Sequence, residues 1–216
     1  TMPSADSVLR VMAPYLTSPL AIAAVIGFFS LIVPLAEEAL KPIGIWLLAG
    51  RRLSPAAGFA GGALSGAGFA IFESLTASTS GEQWTMLVIG RIGTAVVHIL
   101  TTALMGLAIV NAWNRRRYLR LAGTYLGVVL LHGAWNALSI LYAIDGMVTG
   151  FDLAGGLQLP AFISATPYIL AFFSALLFAV LLWTNRRLYR SLPIPGAQER
   201  GSSPAELSGS QDEGVL

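Results

Sequence analysis

The sequence predicts an all-α fold: a polytopic transmembrane helix bundle of about five spans with a polar site inside the membrane. Three observations carry this expectation. Of the 216 residues, 55% are hydrophobic and 11% charged, against about 25% charged residues in a soluble domain; the mean hydropathy is +0.71. Apolar runs of the roughly 20 residues needed to cross a bilayer recur five times. Loops bearing arginine alternate with loops that hold no Lys or Arg. Bilayer is therefore the solvent for most of the chain. Cysteine is absent, so no disulfide framework exists and the redox compartment is not legible.

Residues 1–18 lack the charged n-region and small-residue cleavage site of a signal peptide and read as an extracytoplasmic N-terminal segment; Thr1 ahead of Met2 reads as a residue added by cloning. The first span, about 19–50, contains "SLIVPLAEEALKPIGIWLLAG", which sets Glu37 and Glu38 side by side and includes Lys41, the single lysine of the chain. Its length suits one tilted helix or two short pieces broken near the glutamates. One span is expected, because about twenty residues per limb are not available for a hairpin. Pro34 and Pro42 bracket the acidic pair and deprive the carbonyls of Ser30 and Glu38 of helical partners. Such backbone is tolerated at membrane depth where it is buried in protein or meets water.

The second span, about 55–77, repeats Gly58, Gly62 and Gly66 at every fourth position and ends in Phe69 and Glu73 on a shared face. Small residues at that spacing let another helix approach closely. The third, about 85–113, carries Arg91 and His98, two turns apart, with Thr94, Thr101 and Thr102 as nearby hydroxyls. The fourth, about 119–142, presents His132 and Asn136 from one face, with Trp135 adjacent. The fifth, about 161–184, bears no Asp, Glu, His, Lys or Arg in its apolar run. Residues 19–190 thus form the membrane core, and 191–216, rich in Pro, Gly, Ser and acids, read as a disordered cytoplasmic tail. Arg51 and Arg52, Arg115, Arg116, Arg117 and Arg120, and Arg186, Arg187 and Arg190 follow spans one, three and five, whereas loops 78–84 and 143–160 have no basic residue. The positive-inside rule puts the arginine loops in the cytoplasm and the N-terminus outside.

Ionisable groups inside a membrane are rare and face the protein interior or water. Here Glu37, Glu38, Lys41, Glu73, Arg91, His98 and His132 all fall within apolar spans. At about 1.5 Å per residue, Glu37 lies about 21 Å from Arg51, His98 about 25 Å from Arg115 and His132 about 18 Å from Arg120. Glu73 lies about 31 Å above Arg52 and Asn136 about 24 Å above Arg120. Four helices therefore deliver polar groups to one layer, somewhat toward the outer half. Independent contacts have no reason to share a depth, so one site is expected. Glu37 and Lys41 pair at i, i+4.

Carboxylates crowded in a low-dielectric site cannot all remain ionised, and such a glutamate suits the activation of water. Histidine can shuttle the proton or bind a metal, and the Asn136 amide can donate to a developing oxyanion. Two histidines with one or two glutamates, such as Glu73, His98 and His132, also make a zinc-type donor set with an open position. No Ser or Cys stands beside a His–Asp pair, which disfavours a nucleophilic mechanism. Nucleic acid is excluded as a partner by the lack of a basic aromatic surface or Gly-rich phosphate loop.

In order on successive spans, Glu37-Glu38-x-x-Lys41, Phe69-x-x-x-Glu73, His98 and His132-x-x-x-Asn136 resemble the motifs of the PrsW family of intramembrane proteases, related to the CAAX prenyl endopeptidases and CPBP proteins. The match covers about residues 33–140. Ser74 stands where the family often has Asn, and Asn136 where it often has Asp. The resemblance implies cleavage of a membrane-anchored protein in the bacterial cytoplasmic membrane, as in first-site cleavage of an anti-sigma factor near the outer face. It implies Glu37 or Glu38 as the water-activating base, with Lys41 setting its charge. Glu73, His98 and His132 complete the site, with Phe69 and Arg91 in support and Asn136 at the oxyanion. The family is classed as metal-dependent and its CAAX relatives as metal-free glutamate proteases, so one divalent metal (zinc) and none at all both remain open. The rival expectation is a proton- or cation-coupled transporter using the same Glu/His relay, against which stands the lack of an inverted repeat.

Overall fold

The computed structural model describes Val11, Pro14 and residues 18–48, 50–76, 83–150 and 163–190, with backbone alone for 76, 83–89 and 147–150. Among these residues every regular element is helical. Five helical stretches are long and apolar enough to cross a membrane: Pro19–Leu47, Pro55–Leu75, Gly90–Arg115, Tyr118–Gly146 and Thr166–Arg190. The chain is an integral membrane protein. The N-terminal segment and the tail expected at 191–216 fall almost wholly outside the described residues.

The first span is single but broken, and its prolines explain where. It comprises α1 (Pro19–Gly27), a wide π-helical turn (Phe28–Ile32), α2 (Val33–Leu40) and α3 (Ile43–Leu47). Ser18 caps α1 through its hydroxyl, which accepts from the Ala21 amide, with Pro19 at the first helical position. In the wide turn the Val33 amide reaches back five residues to the Phe28 carbonyl. The next carbonyl, Phe29, would need an amide from residue 34, and proline has none. Asn136 supplies it: its side-chain amide donates to the Phe29 carbonyl at 2.8 Å. At the second proline, the amides of Ile45 and Trp46 both donate to the Pro42 carbonyl. That leaves the Lys41 carbonyl to the Ser65 hydroxyl. Each break thus has a polar partner on a neighbouring helix.

The second span is α4 (Pro55–Thr76), started by Ser54, whose hydroxyl accepts from the Ala57 amide at 3.1 Å. The third, α5 (Gln83–Arg115), runs antiparallel to it, and the glycine stripe fixes their register. A methyl group on Gly58 would strike Gly106 and Val110, one on Gly62 the backbone of Thr102 and Ala103, and one on Gly66 the backbone of His98 and Ile99. The same spacing carried on brings Glu73 opposite Arg91. Two residues connect α5 to α6 (Tyr118–Gly150), and Arg116 takes φ 54°, a left-handed conformation of the kind that ends helices.

The fifth span, α7 (Thr166–Arg190), begins five residues later than the apolar run suggests, after a turn that ends with the Thr166 amide on the Ile163 carbonyl. It backs the third and fourth spans through Leu177, buried with Val97, Leu100 and Trp135, and through Phe173, stacked on Trp135 at 6.2 Å. A second apolar cluster, Ile45, Met105, Ile109, Val110 and Val128, lies toward the arginine-bearing ends. There the Asn114 amide holds the Leu53 carbonyl at 2.8 Å, so Arg51, Arg52 and Arg115 share one end of the bundle. α6 meets the first span where Gly133 comes against the Ser30 carbonyl so closely that a methyl group would not fit. The Tyr125 hydroxyl donates to the Leu35 carbonyl at 2.7 Å.

If backbone contact along the stripe sets the register, Gly66→Leu should destabilise the protein in detergent by about 1–3 kcal/mol or more. Gly68→Leu, two residues on and facing open space, should melt like wild type. Paired thermal melts of the two variants check this.

Candidate active site

Lys41 ends α2 with helical backbone, its amide on the Glu37 carbonyl, so its side chain lies one turn from Glu37 and Glu38. Its side chain is completely buried, with Nζ 2.9 Å from Glu37 Oε2 and 2.9 Å from Glu38 Oε1. Nζ is also 2.8 Å from His98 Nδ1 and 3.4 Å from His132 Nδ1. The Phe69 ring lies 4.6 Å from the ammonium and edge-on to the His98 ring. An ammonium has three protons and no lone pair, so every partner must accept from it or merely lie beside it.

That constraint assigns the histidine protons. His98 Nδ1 accepts from Lys41, so its proton sits on Nε2, which donates to Glu73 Oε2 at 2.7 Å. His132 Nδ1 lies 2.8 Å from Glu38 Oε1, an oxygen that also accepts from Lys41 and from the Thr101 hydroxyl at 3.2 Å. His132 therefore donates from Nδ1, and the lone pair is left on Nε2, 3.8 Å from Glu37 Oε2. The two imidazoles meet edge to face at 5.0 Å.

The adjacent glutamates have different surroundings. The Glu38 side chain is 0% exposed and its Oε1 gathers three donors. The Glu37 side chain is 24% exposed and lines a cleft of about 410 Å³ together with Glu73, Arg91, His132 and Asn136. The cleft continues past Val25, Thr94, Ser139 and Ile140, of which Val25, Ser139 and Ile140 lie farther along their helices from the arginine-bearing ends than Glu37 and His132 do. Glu73 is paired with Arg91 Nη2 at 2.9 Å, and Arg91 Nε donates to the Ser74 hydroxyl at 3.2 Å.

The structure thus brings Glu37, Glu38, Lys41, Phe69, Glu73, Arg91, His98 and His132 into one connected cluster. Asn136 lines the same cleft, but one of its N–H groups is committed to the Phe29 carbonyl. Thr101, expected beside His98, gives its hydroxyl to Glu38 as well as to the His98 carbonyl. Thr94 instead accepts from Trp135 Nε1 at 3.1 Å. Ser65 and Tyr125, which hold first-span carbonyls, were not among the expected residues. The proline at 42 is the signal for Ser65, because a break there frees a carbonyl; nothing local marks Tyr125.

Glu37, His98 and His132 each offer one donor atom, and these atoms all lie within 4.8 Å of one another. This trio differs from the expected Glu73, His98 and His132 in its carboxylate. The glycine-set register puts Glu73 beside Arg91 and behind His98, on the nitrogen facing away from Lys41. Carboxylates behind metal-ligating imidazoles fix tautomer and orientation; Glu73 and Glu38 stand in that relation to His98 and His132. Donor types and second contacts therefore fit one divalent metal.

A bundle of apolar helices enclosing a connected Glu/His/Lys centre, reached through a polar cleft, defines an integral membrane protein built for chemistry within the bilayer. A family model described as "PrsW family intramembrane metalloprotease" matches residues 5–169. The chain belongs to that family and is a membrane protease. No curated protein and no solved structure matches it.

Removing one partner of a buried ion pair costs about 3–5 kcal/mol, so Glu38→Gln should lower stability by about 3 kcal/mol. Glu37→Gln, at the water-reachable carboxylate, should cost clearly less. Thermal or denaturant unfolding of the two variants in one detergent separates them.

Proposed function

We propose that the protein hydrolyses a peptide bond of a membrane-anchored protein, with Glu37 as the carboxylate that activates water. The observation that carries this reading is that Glu37 and His132 line the same cleft, with Glu37 Oε2 3.8 Å from the unprotonated His132 Nε2. A water between them can donate one proton to each. As its oxygen attacks the scissile carbonyl, Glu37 takes a proton and then delivers it to the departing amine. His132 orients the water and is held in the required tautomer by Glu38. Lys41 keeps Glu37 and Glu38 together at low dielectric. An amide carries two N–H groups, so Asn136 can hold Phe29 and still donate to the developing oxyanion. A divalent metal on Glu37, His98 and His132 would supply Lewis-acid polarisation of water or carbonyl.

The cleft dimensions favour an unwound substrate. A helix with side chains is about 10–12 Å across, too wide for about 410 Å³ of cleft. The cleft leads away from the arginine-bearing ends, which the positive-inside rule puts in the cytoplasm. This supports entry from the outer side and cleavage near that face. It suits first-site cleavage of a single-span, anti-sigma-factor-like substrate in a bacterial cytoplasmic membrane. In proteoliposomes with such a substrate, Glu37→Gln and His132→Ala should each reduce cleavage by about 10²-fold to 10⁴-fold, while both remain folded. Undiminished cleavage by either variant would remove Glu37 and His132 from the mechanism. Proton-dependent solute uptake with no peptide product would instead support the transporter.

Orientation is open to a direct test, since the chain has no cysteine. Ser139→Cys, in the cleft, should react with a membrane-impermeant maleimide added outside intact cells. Arg52→Cys should react only after the membrane is opened. The reverse pattern would invert the topology.

A further inference from the structure

The donor set suited to a metal is already engaged by a cation that belongs to the chain. Lys41 Nζ holds Glu37 Oε2 at 2.9 Å and His98 Nδ1 at 2.8 Å, two of the three residues able to bind a divalent ion. The conflict is sharpest at His98. An imidazole has one in-plane lone pair when neutral, and the other nitrogen carries the proton. The His98 proton is on Nε2, against Glu73, so Nδ1 is its only free lone pair, and Lys41 uses it. The same lone pair cannot accept from an ammonium and coordinate a metal. Repulsion adds to this, because ammonium and metal would be cations at contact distance with little water between them.

We infer that Lys41 is a tethered resident cation whose ammonium and a divalent metal are mutually exclusive occupants of the Glu37–His98–His132 site. Metal loading requires the ammonium to withdraw, and with the ammonium in place the site holds no metal. Lys41 is thus a positioning residue: it holds Glu37 and the imidazoles in place and excludes the competing ion. The inference rests on the site described above but not on its being proteolytic, and its test reads no cleavage.

Lys41 is the only lysine of the chain, which makes the test direct. Full-length protein in detergent, with ¹⁵Nζ/¹³Cε-lysine incorporated, gives a single lysine side-chain signal. Zn²⁺ and Co²⁺ are titrated into it, and into Lys41→Met and Lys41→Gln, with uptake read from metal content and the Co²⁺ absorption spectrum. The expected result is about one equivalent of metal in the neutral variants, as a single three-ligand site takes. That uptake should be lost on adding His132→Ala. The wild type should take up metal only with loss or displacement of the Lys41 signal, or take up none where a folded neutral variant does. A wild type that binds one His132-dependent metal with its lysine signal unmoved overturns the inference. So does a folded neutral variant that binds metal no better than a wild type that binds none. Loss of cleavage in Glu37→Gln or His132→Ala bears on the proteolytic reading alone, so the two can fail separately.

Discussion

The site depends on one ammonium held where no water can reach it. Lys41 Nζ is surrounded by groups from three spans: it is paired with Glu37 and Glu38 of the first and bonded to His98 of the third, with His132 of the fourth beside it. In hydrocarbon such a charge is expensive, and its opposite charges equally so. Gathered around one point, they offset each other, and the helices that carry them are drawn to a common depth. The proton assignment of His98 follows from this contact, because an ammonium can only donate, and that of His132 from the Glu38 carboxylate, which can only accept. The adjacent glutamates divide the labour: Glu38 turns inward, where its Oε1 gathers three donors, while Glu37 remains at the edge of the cleft.

The surrounding helices hold this cluster with polar devices suited to lipid. Apolar side chains give little drive for association there, and close backbone approach and interhelical hydrogen bonds take over. The glycine stripe joins α4 to α5. The first span is fastened differently, through backbone carbonyls, two of them beside the breaks that its prolines make. Asn136, Ser65 and Tyr125 each bind such a span at the backbone. An irregular helix is thereby tolerated beside the site, as buried or water-lined backbone must be.

Much of this was legible in the sequence. Five spans follow from apolar length, and the loop arginines mark a common end. The pairings Glu37–Lys41 and His132–Asn136 on shared faces follow from helical spacing, and the shared depth of the ionisable residues pointed to one cluster. What could not be read was azimuth and register between helices. Spacing along α4 makes Glu73 available at the right height, but only the contact of Gly66 with His98 determines that Glu73 stands behind the imidazole. For the same reason Glu37, not Glu73, completes the metal-compatible trio. Asn136 was recognisable as a cleft residue; its bond to Phe29 was not, because a π-helical turn leaves no mark beyond Pro34. The late start of α7 reflects the turn at Ile163–Thr166, which hydropathy does not register.

The glycine stripe also acts as a ruler. Each residue on a helix turns the next by about 100°, so deleting one position between Gly66 and Glu73 would swing the carboxylate well away from Arg91 while leaving the stripe in contact. The guanidinium would then be left on the cleft without its partner. Insertions and deletions inside this interval are therefore penalised far more severely than substitutions. The number of residues from Gly66 to Glu73, more than the identity of those between, is what the chain must preserve.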